Sequence, residues 1–293
     1  MILENELLQL ALGMAQAVLL LLCAPLVTGI VKKVKAWMQN RIGSSIWQEY
    51  YDIRKWWGKP TMLTPYTSIT FRLAPCVYFL TTFAAACMLP GFLGGQAGFG
   101  DVFVFVYLLA LGRFFMAVSS MDAATAFGGS REVYVAAFVE PVVMLAVLSN
   151  VLHTNSTSLA GMSLRTDEVN LTVAGVLTCI AFFLVLLAEN SRIPVDNPDT
   201  HLELTMIHEC MTLEYSGRLL ALIHWASQLK LLVFLVLFAM LYLPLDLPVV
   251  FKVLIGAVAV GVVETLNNKM RLFKVRVYLA AAGLMLLLAV VAQ

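Results

Sequence analysis

Leu219-Leu-Ala-Leu-Ile-His-Trp-Ala-Ser-Gln-Leu-Lys-Leu-Leu-Val-Phe-Leu-Val-Leu-Phe-Ala-Met-Leu-Tyr-Leu243 carries one formal charge, Lys230, near its middle. A helix that crosses a bilayer needs roughly 20 mostly apolar residues, and this run exceeds that length. Working outward, seven more runs have the same character: Leu7–Val31, Phe71–Pro90, Val102–Ser120, Val133–Leu152, Leu171–Ala188, Val249–Glu264 and Val277–Ala292. They predict an all-α integral membrane protein of about eight transmembrane helices, a single membrane domain over residues 1–293. Composition agrees, with 61% apolar and 13% charged residues, where soluble domains carry about a quarter charged. The alternating strands of about ten residues that build outer-membrane barrels are absent.

The charges are unevenly placed. Glu4 and Glu6 lead the first run, unlike the basic flank of a cleavable signal, and Lys32, Lys33, Lys35 and Arg41 follow it. The positive-inside rule therefore puts the N-terminus outside. With eight spans, fifteen Lys and Arg fall on inner loops, and Arg165 and Lys252 alone on outer ones. Both termini are then expected outside, with long cytoplasmic loops after helices 1 and 5, at Lys32–Thr70 and Glu189–Gly217. The first holds Trp37, Trp47, Trp56 and Trp57 among basic residues, the composition of a helix lying at the headgroups. The five cysteines fall singly, and no HExxH, Walker loop or dinucleotide fingerprint occurs. No metal site or cofactor is expected in this chain itself, and no nucleic-acid partner.

The second loop concentrates acid. Leu187-Ala-Glu-Asn-Ser-Arg-Ile-Pro-Val-Asp-Asn-Pro-Asp-Thr-His-Leu-Glu-Leu204, then Glu214-Tyr-Ser-Gly217, place Glu189, Asp196, Asp199, Glu203, Glu209 and Glu214 between two spans. Charge beside or within a bilayer is costly, so such a cluster reads as functional. Asn197-Pro198 fits a helix start, which would put Asp199 and Glu203 on one face, and His201 and His208 on another. Within spans lie Arg113, Lys230 and Glu140, the last just before Pro141, and Glu264 ends a span. Two readings stand for these: a structural ion pair between Glu140 and Arg113, or a polar track for protons. Snorkelling is the plain reading of Lys230, though its mid-helix position makes that reach difficult.

Four stretches together resemble the membrane subunit shared by respiratory complex I, as its H subunit, and energy-converting NiFe hydrogenases, nearer the hydrogenase and formate hydrogenlyase branch. They are Arg41-Ile-Gly43 through Gln48, Asp52 and Lys55; Arg113-Phe-Phe-Met-Ala-Val-Ser-Ser-Met-Asp122; Gly129-Ser-Arg-Glu132 with Glu140-Pro141; and Glu189 to Gly217. Ser44 stands where many relatives carry Pro, and His201 where the complex I subunit usually has Glu. The resemblance implies a prokaryotic inner-membrane subunit that docks a peripheral arm and relays redox energy to ion translocation. The arm would comprise an iron–sulfur small subunit and a NiFe large subunit, which hold the redox centres, and antiporter-like membrane subunits would complete the complex. It implies relay roles for Glu140, Asp199, His201, Glu203, Glu214, Lys230 and Glu264. Arg41, Gln48, Asp52, Arg131, Glu189, Arg192 and Asp196 become loop and docking candidates. A quinone-binding subunit of a complex I-type oxidoreductase is the alternative. An independent secondary transporter fits less well, because no internal repeat is visible.

Overall fold

The computed structural model describes residues 2–64, 67–90, 100–122, 125–163, 172–197, 205–243 and 247–292. Eleven helices are present among these: α1 (Ile2–Met38), α2 (Gln48–Trp57), α3 (Ile69–Met88), α4 (Val102–Asp122), α5 (Ala126–Thr154), α6 (Leu159–Ser163), α7 (Val173–Glu189), α8 (His208–Thr212), α9 (Gly217–Leu241), α10 (Val249–Leu266) and α11 (Leu272–Val291). Seven of them (α1, α3, α4, α5, α9, α10 and α11) are long and apolar enough to cross a membrane. The 17-residue α7 falls in the run expected as a further span; it is apolar but shorter, and packs against α5, α9 and α11.

Several helices outrun the apolar runs that announce them. Helix α1 continues to Met38, so Lys32, Lys33 and Lys35 ride on it rather than in a loop. Its 37 residues extend about 55 Å, well beyond a hydrocarbon core of about 30 Å. Helix α5 likewise begins at Ala126 and α11 at Leu272. Lys, Ala and Met are good helix formers, so the chain stays helical after it leaves the lipid. Ser68 and Thr172 cap α3 and α7 by accepting from the Phe71 and Gly175 amides.

Helix α9 is the axis of the bundle and touches α1, α2, α3, α7 and α10. Of its most apolar stretch 67% is buried, against 33% for α10 and for α11. Leu80, Tyr107, Phe114 and Leu284 point outward, as side chains meeting lipid tails do. Lipid offers helices no hydrophobic drive to associate, so close packing and buried hydrogen bonds hold them. Gln16 donates to the Leu89 and Pro90 carbonyls, Trp225 to Leu21, and Tyr242 to Ala146.

Two glycine positions bring the loops onto the bundle. Gly217 has φ +56°, and a Cβ there would lie 2.5 Å from the Pro60 carbonyl, so the α9 turn seats directly on the first loop. Gly128 lets α5 approach α8, since a Cβ there would come 2.8 Å from the Cys210 Cβ. Helix α2 turns Glu49 and Ile53 inward and leaves Trp47, Tyr51 and Trp57 exposed, consistent with a place at the headgroups.

Candidate functional site

Four charges meet inside the bundle, each from a different helix. Arg113 of α4 pairs through Nε with Glu132 of α5, and through Nη1 with Glu189 Oε2 at 2.7 Å. Lys230 of α9 reaches Glu189 Oε1 at 2.7 Å and donates to the Glu189 carbonyl at 3.0 Å. None of the four is more than 6% exposed. Burying an ion costs several kcal/mol unless it is paired and hydrogen-bonded. Two cations facing two carboxylates satisfy that demand and leave the cluster neutral. Arg113 Nη2 and Glu132 Oε2 are nonetheless buried without a hydrogen-bond partner.

These groups line a void of about 10 Å³, which Tyr78, Asn190, Ser191, His208 and Ser227 also border. About one probe sphere of that size suffices for a water molecule. Toward the basic end of the bundle lies a cavity of about 520 Å³ between α1, α2, α9 and the segment after α7. Glu49 projects into it, held by Lys32 at 2.6 Å and Gln228 at 2.7 Å. Trp56 stacks on His224 with ring centroids 4.5 Å apart. On the other side of the cluster, a second void of about 10 Å³ runs from Glu189 past Val106, Val143 and Phe234 to Glu140. Cavity, cluster and second void thus form a sequence that ends at a half-buried carboxylate.

The flanking loop is tied down by buried acids. Asp196, 1% exposed, accepts from the Ile207 and His208 amides at 3.2 and 3.0 Å and binds Lys269 at 2.6 Å. Glu264 takes Arg192 at 3.2 Å and Lys35 at 3.6 Å. Arg131 donates to the Met206 carbonyl at 2.9 Å. Tyr215 stacks on Phe71 with centroids 4.1 Å apart, bonds the Ser119 hydroxyl at 3.0 Å, and is pushed up to about 12 by burial. Burial lowers the His208 pKa below the ordinary histidine value, against the opposing pull of the Glu132 charge.

The structure gathers some expected residues and disperses others. Glu189, Lys230 and Arg113 converge, and Glu140 lies one void away. Arg113 pairs with Glu132 and Glu189 rather than with Glu140, because both arrive at the guanidinium fork from neighbouring helices. Lys230 is buried and paired, so it does not snorkel. Glu264 and Arg192 pair with each other at the rim, and Asp196 faces inward rather than out to a partner. Glu214 is half-buried, Arg41 exposed, and Gln48 donates to Asp52 at 3.1 Å. Asp199, His201 and Glu203, with Pro198 of the expected helix start, lie outside the described residues. The sequence does not single out Glu49 or Gln228, and it gives Glu132 only as the end of Gly129-Ser-Arg-Glu132, with no role. Glu132 lies two helical turns before Glu140, and that spacing is the signal that could have found it. Among the described residues no group of His, Cys, Asp and Glu could hold a metal ion.

A bundle of apolar helices around a compensated charge cluster defines a multi-pass membrane protein whose polar groups are aligned inside it. A family model described as NADH dehydrogenase matches residues 10–292, and the chain belongs to that family. Hydrogenase-4 component C of Escherichia coli (strain K12) is 37% identical over 239 residues, covering 79% of this chain and 75% of that protein. Formate hydrogenlyase subunit 4 of the same organism is 31% identical, covering 78% of this chain and 76% of that protein. A chain from the membrane-bound sulfane sulfur reductase, an archaeal respiratory membrane complex, shares the fold with a TM-score of 0.82 and 17% sequence identity, over 96% of this chain and 99% of that one. The chain is therefore a membrane subunit of the complex I-like and hydrogenase kind, in a prokaryotic inner membrane.

Proposed function

We propose that this chain is the anchoring and coupling subunit of a NiFe hydrogenase or formate hydrogenlyase complex. It docks an iron–sulfur small subunit and a NiFe large subunit at its basic, cytoplasmic end. It relays redox-driven proton movement inward to antiporter-like neighbours. The observation that carries this reading is the sequence from polar cavity through the neutral cluster to Glu140. Glu214, Asp199, His201 and Glu203 belong to the loop that would meet the peripheral arm. Lys230 belongs to the cluster itself, Glu264 pairs with Arg192 and Lys35 at the rim, and the likeness to two hydrogenase-type subunits supports the choice of complex.

A second reading has an observation in its favour. A cavity of about 520 Å³ lies within the range of small-molecule sites and could admit a quinone headgroup. Against it, two buried atoms at that cavity without a partner, Gln228 Oε1 and Asn190 Oδ1, are acceptors. A quinone carbonyl is also an acceptor and would satisfy neither of them.

Gentle purification through this subunit, followed by mass spectrometry and a hydrogen-evolution assay, tests the assignment. Co-purification of a NiFe large subunit with activity supports it, and quinone reduction without one moves the chain to the second reading. Glu140→Gln in the assembled complex is expected to lower ion pumping about tenfold or more, the scale of losing a positioned proton carrier. Unchanged pumping removes Glu140 from the relay.

A further inference from the structure

The cavity and the first water-sized void are separate spaces with a shared wall. Four residues line both: Asn190, Ser191, Ser227 and His208. Only a histidine among them titrates between about pH 5 and 8. His208 is held in place from behind, since its backbone amide donates to Asp196 at 3.0 Å, and Asp196 is anchored to Lys269. Among the described residues its imidazole makes no hydrogen bond, so both ring nitrogens remain open to a proton carrier. Across the void lies Glu132 Oε2, a buried carboxylate oxygen without a hydrogen-bond partner. A void of about 10 Å³ holds one water where two to four polar partners are present. Arg113 Nη2, Glu132 Oε2 and the imidazole supply them.

We propose that His208 is the gate by which protons pass from the polar cavity to Glu132 of the buried cluster, through one bridging water. This rests on the relay reading given above. The step balances simply. The imidazolium gives its proton to the water, the water gives one of its own to Glu132 Oε2, and neutral His208 remains. Only protons move, and no redox partner is needed. The cluster passes from neutral to a net charge of +1, which favours onward release past Glu189 to Glu140.

The charges around His208 suit a gate. Glu132 on α5 and Asp196 in the loop attract a proton to it, while Lys230 on α9 and Arg113 on α4 repel one. Glu189 at the end of α7 borders the same void, and Glu209 and His224 line the cavity side with it. Burial weighs most and keeps the imidazole neutral at rest, so a proton taken up is readily surrendered.

The test uses inverted membrane vesicles carrying the intact complex, with hydrogen evolution and proton uptake measured together. His208→Ala is expected to lower proton uptake per hydrogen at least about tenfold, as for loss of a general acid–base group. Added imidazole should restore uptake through the open cavity, and pyrazole, of the same shape but hardly basic, should not. Wild-type uptake in His208→Ala overturns the gate, and so does a loss that imidazole leaves unrepaired in an assembled complex. Uptake that is normal in His208→Ala but defective in Glu140→Gln sinks the gate alone. If both variants pump normally, the relay falls with it. Should His208→Ala not assemble, the wild-type pH profile decides. An inflection below the ordinary histidine value of 6.5 supports the gate, and a flat profile from about pH 5 to 7 overturns it.

Discussion

Arg113 is the residue on which the buried cluster depends. Its fork engages Glu132 and Glu189 from separate helices, whereas Lys230 reaches Glu189 alone. Arg113→Met would leave two carboxylates facing one ammonium with no water to solvate the surplus. Breaking a buried pair in this way costs about 3–5 kcal/mol, so the variant is expected to accumulate poorly in membranes. Arg113→Lys keeps the charge but not the two-pronged geometry, and its level should fall between the two. Quantitative blotting of membranes against a partner subunit measures this order, and equal levels for all three would remove Arg113 as the structural centre. Lys230→Met is a milder case, because Glu189 keeps its bond to Arg113. It should assemble but pump less, and failure to assemble would make Lys230 a structural ion instead. The sequence shows that Arg113, Lys230 and Glu189 are costly charges, since each interrupts or ends an apolar run. It cannot show which of them meet. Glu132 enters the sequence reading only at the end of Gly129-Ser-Arg-Glu132 and without a role, because the apolar run begins at Val133, while the helix begins at Ala126.

At the scale of elements, hydropathy reports where the lipid is and not where helical hydrogen bonding stops. That is why the apolar helices are legible in the sequence and their extensions beyond the apolar runs are not. Lys35, placed in a loop by hydropathy, sits in the last turn of α1 and bonds Glu264 from there. The loop after α7 is legible as acidic, but its Asp196 faces inward. Asp196 accepts from two amides and a lysine, fixing the approach to α8 and with it His208. Asp196→Ala would strand two amides and an ammonium, at a cost of about 1–3 kcal/mol for each buried group left unpaired. Limited proteolysis of the intact complex should then cut near residues 205–212 much faster than in wild type, by about tenfold for each 1.4 kcal/mol of lost local stability. Asp196→Asn retains an acceptor for the amides and should show a smaller increase. If both variants resist cleavage as the wild type does, Asp196 is not what holds the loop.

For the whole molecule, every feature of the relay depends on which side of the membrane the cavity opens. The basic residues of α1, α2 and the α10–α11 connection share one end of the bundle with the cavity, which the positive-inside rule assigns to the cytoplasm. Ile42 marks that end and is 89% exposed, while Leu247, at 44%, lies just beyond the far end of α9. The 25 residues of α9 extend about 37 Å, so the two ends lie on opposite sides of a bilayer. A membrane-impermeant maleimide should therefore label Leu247→Cys in intact cells and Ile42→Cys only in inverted vesicles, each above the background of the native cysteines. The reverse pattern would turn the cavity to the outside, away from any cytoplasmic electron-transfer arm. Docking, relay and gate would then all fail together, because no rearrangement of side chains can move Glu49, His208 and Glu132 across the lipid.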